Sequence, residues 1–294
     1  MKEIVNVDDF EKISFVFRGH VGHWLAQSMM HIFSLDRVNE AYSFSAKYSG
    51  AKFASTLLEH VGVRYRIGNV DYLNQLSTGP FITISNHPYG GLDGIMLIDL
   101  IATLRPDYKV MVNKILSLIK AMDENFISVI PKVDDKQKEI KSANINGVRD
   151  TLIHLHEGHP MGFFPAGAVS NFHIKNRCVE DRKWQRNVIK IIKMAKVPIL
   201  PVRFFDKNSF FFYFLGLINW RIRLLRMPQE IFNKKKQLPR IGVGQIITVE
   251  EQLKYKNLNE FGALLRDSIY QMPLPSSFIF RDDWLKQLRN KSSE

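Results

Sequence analysis

The sequence predicts an α/β protein in which a mostly parallel sheet is flanked by helices and preceded by an N-terminal helical region. Between residues 81 and 247, short apolar runs rich in β-branched residues alternate with longer segments of helical periodicity. Such alternation is typical of parallel strands joined by helical crossovers. Hydrophobic residues make up 45% of the 294-residue chain, which is enough for a large buried core.

Residues 1–70 form the predicted N-terminal region. Apolar side chains between residues 9 and 35, among them Val21, Trp24 and Ile32, recur at helical spacing in the later part of that stretch. Such a helical face can pack on the core or lie on a membrane surface, and core packing is the favoured alternative.

The remaining elements follow from local patterns in chain order. Strands are assigned to β-branched and aromatic runs, helices to apolar residues three or four apart, and boundaries to Gly and Pro. The predicted elements up to residue 141 are helix 50–61, edge strand 63–67, strand 81–85, helix 93–104, strand 108–112, short helix 115–121, strand 126–130 and a lysine-rich loop. Beyond it come helix 142–157, strand 161–164, helix 181–196, strand 197–202, strand 240–247 and helix 257–271. These elements divide the chain into an α/β domain over 71–275 and a polar tail over 276–294.

The aromatic run 210–214 is followed by Arg221, Arg223 and Arg226. Aromatic side chains beside arginines suit a protein that binds at a lipid interface, because apolar insertion is then combined with attraction to anionic headgroups. A buried strand followed by a solvated loop would produce the same pattern. The sequence leaves both interpretations open.

His87 and Asp93 are the first candidates for catalysis. They lie at the two ends of a tight turn between the strand 81–85 and the next helix, and Gly90 and Gly91 allow the chain to reverse there. A neutral imidazole can take a proton from a hydroxyl, and a carboxylate on its other nitrogen would fix the tautomer. The simpler interpretation is that Asp93 only caps the helix and that His87 is a loop residue.

The composition restricts partners and location. The net charge of +12 would attract nucleic acid, anionic lipid or an acidic carrier protein. The longest apolar stretch, 210–220, is shorter than the roughly 20 residues of a spanning helix, so no transmembrane segment is predicted. Acidic residues interrupt the apolar residues of the first fifteen positions, so no secretory signal is predicted there. The single cysteine, Cys178, fits a reducing compartment, and no histidine is positioned to make it a nucleophile.

Three sequence blocks resemble a known family. Asn86-His87 followed by Asp93, the block GFFPAGAVS at 162–170 and the block VPILPV at 197–202 are similar, in order, to those of the glycerolipid acyltransferases, the 1-acylglycerol-3-phosphate acyltransferase superfamily. The resemblance covers roughly residues 80–205. Five residues rather than the family's four separate His87 from Asp93, as in the branch that contains haemolysin-like and lyso-ornithine-lipid or glycine-lipid O-acyltransferases.

Two departures from the family concern the acceptor. Ala166 stands where the family has Glu, and Val169 stands where it has Arg. Those two family residues are associated with the phosphate of glycerol-3-phosphate-type acceptors. Because a phosphate monoester requires Arg or a comparable set of donors, their loss argues against lysophosphatidic acid as the acceptor.

The resemblance implies an acyltransferase-type fold and O-acyl transfer from a thioester, either acyl-carrier protein or coenzyme A, to a lyso-lipid or an N-acyl amino-acid lipid. It implies no cofactor besides the thioester co-substrate, and a peripheral location on the cytoplasmic face of an anionic membrane. No metal site is predicted, because the histidines show no HExxH or similar spacing. An alternative is a catalytically inactive module that binds lipid or nucleic acid, although no nucleic-acid motif is present. The implied site consists of His87 and Asp93 as catalytic residues, Asn86, Lys132, Pro165, Gly167 and Ser170 as substrate-binding residues, and backbone amides near Gly167 as oxyanion donors.

Overall fold

The computed structural model describes residues 4–76, 78–113, 116, 119–129 and 139–291. In these ranges, eight strands form one sheet in the order β10-β1-β9-β8-β2-β5-β3-β4, and β6 and β7 form a separate hairpin. The strands are β1 Arg66–Gly68, β2 Ile82–Ser85, β3 Lys109–Asn113, β4 Phe126–Val129, β5 Met161–Phe163, β6 Asn171–His173, β7 Cys178–Glu180, β8 Ile199–Phe204, β9 Arg240–Val243 and β10 Ile279–Phe280.

Helices occupy most of the remaining chain, together with short 3-10 turns at 15–17, 120–125 and 234–236. The helices are α1 Val7–Ile13, α2 Gly19–Ile32, α3 Leu35–Ser45, α4 Gly50–His60, α5 Asp71–Asn74, α6 Gly91–Ile101, α7 Glu139–His156, α8 Arg186–Ala195, α9 Phe210–Ile218, α10 Trp220–Asn233, α11 Val249–Leu253, α12 Leu258–Tyr270 and α13 Arg281–Lys291.

The predicted fold class is confirmed. Strands β8, β2, β5, β3 and β4 are parallel neighbours. Strand β9 runs antiparallel to β8, and β1 pairs with β9 in parallel. The central strand β2 is buried along its whole length, as its uninterrupted apolar run predicts for a parallel strand covered on both faces.

Helices bury both faces of this sheet. On one face, α4 packs on α6, and Phe53 and Met96 from these helices are fully buried in the larger apolar cluster. On the other face, α7, α8 and α12 bury side chains such as Ile192 and Leu265 in a second cluster. The sheet is therefore held between two apolar cores.

The two flanking segments contribute to the sheet. Strand β1 is not the edge strand that its sequence predicts, because β10 pairs with its outer side. The prediction of a polar tail after residue 275 is wrong: β10 and α13 lie there, and Trp284 is buried. Arg281 fastens this segment through an ion pair of 2.6 Å with the buried Asp99. The polar composition of 281–291 reflects the outer face of α13.

Two helical segments differ from the favoured predictions. Helix α2 buries only Gly22 and Ala26. Its side chains Val21, Trp24 and Ile32 are exposed and its other large apolar side chains are only half-buried, so core packing is wrong for this helix. The aromatic run is neither a strand nor a loop: it forms α9, which Ser209 caps by accepting a hydrogen bond from the amide of Phe212 at 3.2 Å. The high β propensity of aromatic residues accounts for the strand interpretation.

Candidate active site

His87 lies two residues beyond the carboxyl end of β2, with β5 on one side and β8 on the other. Because these three strands are parallel, the residues that follow each of them meet at the same edge of the sheet. Phe164 follows β5 directly, and the His87 and Phe164 rings lie 4.4 Å apart. In open α/β sheets this carboxyl edge is where ligands bind.

Asp93 meets His87 across the turn. Its Oδ2 lies 2.9 Å from Nδ1 of His87, so the five-residue spacing still brings the two side chains together. The same oxygen accepts hydrogen bonds from the backbone amides of Tyr89 at 2.9 Å and Gly90 at 3.0 Å. Asp93 is the third residue of α6, and Gly90, the N-cap, has a φ of 80°. The carboxylate therefore closes the helix start and contacts the imidazole at once.

The contact between His87 and Asp93 is close without being a straight hydrogen bond, because the Nδ1–H direction deviates from the line joining the two atoms. Catalytic hydrogen bonds are often misaligned before substrate binds and tighten in the complex. With Nδ1 held toward Asp93, the opposite nitrogen, Nε2, is the one left for a substrate hydroxyl. The side chain of His87 is 18% exposed, which leaves the imidazole partly accessible to solvent.

The electrostatics of the pair are dominated by burial. Asp93 is fully buried, and its Oδ1 has no hydrogen-bond partner among the described residues. Burial raises the pKa of the Asp93 carboxyl from 3.8 to about 6, while His87 and the amides of Tyr89 and Gly90 oppose that rise. At neutral pH the carboxylate is ionised, and a charge there favours the imidazolium that forms when His87 takes a proton.

A second carboxylate, Asp181, holds the backbone around His87. The β6–β7 hairpin pairs Asn171 with Glu180, and the next residues outward, Ser170 and Asp181, therefore face each other. The hydroxyl of Ser170 donates to Oδ1 of Asp181 at 2.6 Å, and the amide of His87 donates to the same oxygen at 3.1 Å. The amide of Ser170 also donates to the carbonyl of His87 at 2.8 Å. Trp184 completes the set through its indole N–H, 3.1 Å from Oδ2.

Asp181 is the residue that sequence reasoning missed. It reads as the first residue of an amphipathic helix over 181–196, but the helix begins only at Arg186. Residues 181–185 instead pack against the loop after β5, where the amide of Gln185 donates to the carbonyl of Pro165 at 2.9 Å. The bond from His87 to Asp181 spans 94 positions in the chain, and no local pattern signals it.

Backbone amides near Gly167 are the predicted oxyanion donors, and the amide of Gly167 itself is engaged in a turn. Gly167 has a φ of 63°, and its amide donates to the carbonyl of Phe164 at 2.9 Å, closing a tight turn. A Cβ at this position would lie 1.9 Å from Nε2 of Gln185. The Gly167 amide is thus used within the turn, and the shape of the loop, with its positive φ, is what requires glycine.

The other predicted substrate-binding residues have structural contacts. Asn86 is buried, and its side-chain amide donates to the carbonyl of Phe204 at 2.9 Å and accepts from the Phe204 amide at 2.8 Å. Asn86 therefore ties the ends of β2 and β8 together. Pro165 is buried in the turn, and Ser170 directs its hydroxyl to Asp181. Lys132 lies outside the described residues. Substrate binding by these residues stays a prediction.

Arg223 points inward, away from the lipid-facing role that its sequence neighbours suggest. It is 6% exposed, and its Nη1 donates to the carbonyl of Ser170 at 3.1 Å and to Oδ1 of Asn171 at 2.7 Å. Burial lowers the pKa of its guanidinium. Helix α10 is thereby fastened to the same loop that carries Ser170. Arg221, two residues earlier, is exposed.

Cys178 lies half-buried on β7. Burial and the neighbouring Glu180 carboxylate raise the pKa of its thiol. Activated cysteines show the opposite shift, because the thiolate is the nucleophile. The thiol is therefore not prepared for nucleophilic attack.

An apolar cavity of about 280 Å³ lies beside the turn that carries the pair. Tyr89, Gly91 and Leu92 from that turn line it, together with side chains from α6 and from five other segments. This volume is about twice the ~150 Å³ of an apolar cavity that admits benzene. The other lining residues are Ile4, Val38, Ala41, Tyr42, Phe53, Leu57, Leu58, Val61, Ile95, Leu116, Ile119, Leu224, Met227, Pro228, Ile231 and Phe232.

Known proteins resemble this chain. It is similar to the lyso-glycine lipid O-acyltransferase of Bacteroides thetaiotaomicron, with 23% identity over 86% of this chain and 91% of that protein. It is also similar to the lyso-glycine lipid O-acyltransferase of Phocaeicola vulgatus, with 21% identity over 90% of this chain and 94% of that protein. Among solved structures it is similar to the 1-acyl-sn-glycerophosphate acyltransferase PlsC from Thermotoga maritima, with a TM-score of 0.45 and 12% identity over 75% of this chain and 79% of that chain.

A family model decides the assignment. The model described as Acyltransferase matches residues 16–274, so the match contains the histidine–aspartate turn, the Phe164–Ser170 loop and β8. This agrees with the resemblance of the three sequence blocks. Since the match extends over most of the chain, the protein is an enzyme of the acyltransferase family.

Proposed function

We propose that the protein is an O-acyltransferase that moves an acyl chain from a thioester to the hydroxyl of a lyso-lipid or an N-acyl amino-acid lipid. The observation that carries this proposal is the His87–Asp93 contact of 2.9 Å beside an apolar cavity. The pair supplies a base for a hydroxyl, and the cavity supplies a place for a hydrocarbon chain. The base and the site for the chain therefore lie next to each other, joined by residues 89–92.

The proposed reaction proceeds without a covalent enzyme intermediate. Nε2 of His87 takes the proton of the acceptor hydroxyl as its oxygen attacks the thioester carbonyl. The tetrahedral intermediate collapses, the carbon–sulfur bond breaks, and the departing sulfur receives the proton from His87. Asp93 stabilises the imidazolium between the two proton transfers. The products are the acylated lipid and a free thiol.

The acceptor proposal rests on the loop after β5 and on the relatives. Ala166 and Val169, at the positions of the family's Glu and Arg, are both buried among apolar side chains. Neither can hold a phosphate, which supports an acceptor whose head group is not a phosphate monoester. The names of the two lyso-glycine lipid O-acyltransferases support an amino-acid lipid of that class.

The donor and the location are further parts of the proposal. The net charge of +12 suits an acidic acyl-carrier protein and an anionic membrane surface, with acyl-coenzyme A as the other possible donor. A peripheral position on the cytoplasmic face is proposed. Within the described ranges, no helix combines the length and apolarity that crossing a bilayer requires.

An acyl-transfer assay tests the proposal. Wild type and His87→Ala are given labelled acyl-carrier-protein or coenzyme A thioesters and a panel of lyso-lipids, and product is separated by thin-layer chromatography. The expected result is one class of acceptor acylated by wild type, with the rate reduced by about 10²–10⁴-fold in His87→Ala.

The exposed His156 on α7 provides the control, and His156→Ala should retain the wild-type rate. Equal rates for wild type and His87→Ala would contradict the role of His87. If wild type transfers to no acceptor but binds anionic vesicles, an inactive lipid-binding module would replace the enzyme.

A further inference from the structure

The hairpin formed by α9 and α10 exposes an unusually apolar outer surface. Large apolar side chains follow one another along α9 and around the turn, and Phe210 is 80% exposed and Ile218 62% exposed. Single exposed apolar residues are normal on a folded protein, whereas a contiguous patch of them marks an interaction site. The patch comprises Phe210, Phe211, Phe214, Leu217, Ile218 and Trp220.

The inner face of the hairpin is fixed to the active-site loops. Phe212 and Tyr213 are buried, and the Tyr213 hydroxyl donates to the carbonyl of Pro88, next to His87, at 3.2 Å. Arg223 fastens the second helix to Ser170. The outward apolar side chains are therefore carried by helices with an ordered, well-packed base.

The charge of the hairpin selects its partner. No Asp or Glu occurs between residues 207 and 229, while Lys207 and Arg221 are exposed. The Arg221 guanidinium lies 5.3 Å from the centre of the Trp220 ring, which places a cation beside an interfacial aromatic residue. Apolar side chains flanked by cations match an anionic phospholipid surface, because the chains enter the interface while the cations meet the headgroups.

The second helix of the hairpin also walls the apolar cavity. Leu224, Met227 and Pro228 line the cavity, and Leu224 is at the same time 40% exposed on the outside. Helix α9 has nine residues, which corresponds to roughly 14 Å and to less than half of a ~30 Å hydrocarbon core. The hairpin can therefore reach into one leaflet without crossing the bilayer.

From these observations we infer that the α9–α10 hairpin docks the protein on an anionic bilayer by inserting its outer apolar face into the interface. Lipid chains then pass along α10 into the cavity beside His87. The route of the chains rests on the proposed acyl transfer. The docking itself rests only on the exposed face and its charge.

Vesicle sedimentation tests the docking. The variant Phe210→Ser/Leu217→Ser/Ile218→Ser removes three outward side chains that do not line the cavity. Each substitution removes apolar surface that would otherwise leave water on binding, so affinity for phosphatidylglycerol-rich vesicles should fall by far more than about tenfold. The matched control Met194→Ser/Leu253→Ser/Leu274→Ser removes three apolar side chains outside the hairpin, each more than half exposed, and should bind as wild type does.

Tryptophan fluorescence gives a second readout that needs no hairpin disruption. Trp184 and Trp284 are buried, so Trp24→Phe leaves Trp220 as the exposed reporter. Its emission should shift to the blue on vesicles and be quenched by lipids with brominated chains. Arg221→Gln should weaken binding and make it less sensitive to salt. An unshifted Trp220 together with unchanged sedimentation of the triple hairpin variant would overturn the docking.

Other outcomes separate the alternatives. If the hairpin variant changes the oligomeric state in lipid-free buffer and leaves vesicle binding intact, the patch is a contact between two copies, and the inference is wrong. Acyl transfer to a short-chain acceptor that stays monomeric in buffer should persist in the hairpin variant, whereas transfer to acceptor embedded in vesicles should be lost. A wild type that binds vesicles but transfers no acyl group would refute the proposed function and leave the docking standing.

Discussion

Asp93 combines two roles that the sequence presents as alternatives. Its Oδ2 accepts the amides of Tyr89 and Gly90 at the start of α6 and also contacts Nδ1 of His87. A capping carboxylate is normally solvated, whereas this one is fully buried. The start of α6 therefore holds an ionisable carboxyl where water cannot solvate it. When ionised, this carboxylate stabilises the protonated form of the neighbouring His87 imidazole.

The burial of Asp93 makes the free energy of unfolding depend on pH. The pKa of the Asp93 carboxyl is about 6 in the folded protein, whereas its ordinary value is 3.8. Between these two pH values, Asp93 is protonated in the folded protein and ionised in the unfolded chain. The free energy of unfolding therefore falls as pH rises from about 4 to 6, by roughly 3 kcal/mol for this group, and is level above that range. Denaturant unfolding of wild type and Asp93→Asn across this range measures the effect.

The Asn variant isolates the contribution of Asp93, because the amide cannot titrate. Asp99, also buried, has a pKa raised to about 6 and titrates in the same window, but its effect is common to both proteins and cancels in the difference. The stability of wild type relative to Asp93→Asn should decline from pH 4 to 6. A difference that stays constant with pH would contradict the raised pKa.

Residues next to the β6–β7 hairpin and in the turn after β5 hold the backbone of His87 through hydrogen bonds. Asp181 accepts three hydrogen bonds through its side chain, from His87, Ser170 and Trp184, and it is 2% exposed. These bonds connect elements that lie far apart in the chain. The base is thus positioned by its backbone as well as by Asp93.

Removal of the Asp181 carboxylate should be costly. Asp181→Ala leaves three buried donors without their acceptor, and we expect the free energy of unfolding to fall by about 2–5 kcal/mol. The exposed Asp267 on α12 offers the matched control, and Asp267→Ala should stay within about 0.5 kcal/mol of wild type. Equal stability of the two variants in urea would show that the network contributes nothing.

Substitution of Gly167 tests whether the turn after β5 requires glycine because of its backbone conformation. Gly167→Ala meets two obstacles, a φ of 63° and a Cβ contact of 1.9 Å with Nε2 of Gln185. The far end of a glutamine side chain can move aside, so we expect the backbone conformation to dominate at about 1–2 kcal/mol. Thermal unfolding of Gly167→Ala and of Gly167→Ala/Gln185→Ala distinguishes the two causes. A full rescue by the second substitution would assign the cost to the contact instead.

Much of the fold is predictable because its strands are short, buried apolar runs bounded by Gly and Pro. β2, β5 and β8 are of this kind, and their positions also place His87 at the carboxyl edge. The α9 helix is not predictable from propensity, since Phe and Tyr favour strands and only the Ser209 cap indicates a helix. The roles of Asp181 and Arg223 depend on contacts between distant segments. Local patterns carry no information on such contacts.

The cavity joins parts of the chain that the sequence presents as separate regions. Side chains from the N-terminal helices α3 and α4, from α6 and from α10 line it together. The N-terminal helices α3 and α4 thus line this cavity and share it with the turn after His87. The cavity and the histidine–aspartate pair are joined by the turn at Tyr89–Leu92, and we propose that together they form one acyl-transfer site.

A chain-length series on Ile95→Trp tests this central claim most directly. Ile95 lies two residues after Asp93 in α6 and lines the cavity. A tryptophan at this position would fill space that an acyl chain is proposed to occupy. We expect kcat/KM to fall steeply for long-chain thioesters and to stay near the wild-type value for the shortest chains. A loss that is equal at every chain length, or no loss for long chains, would show that the cavity is not where the acyl chain binds.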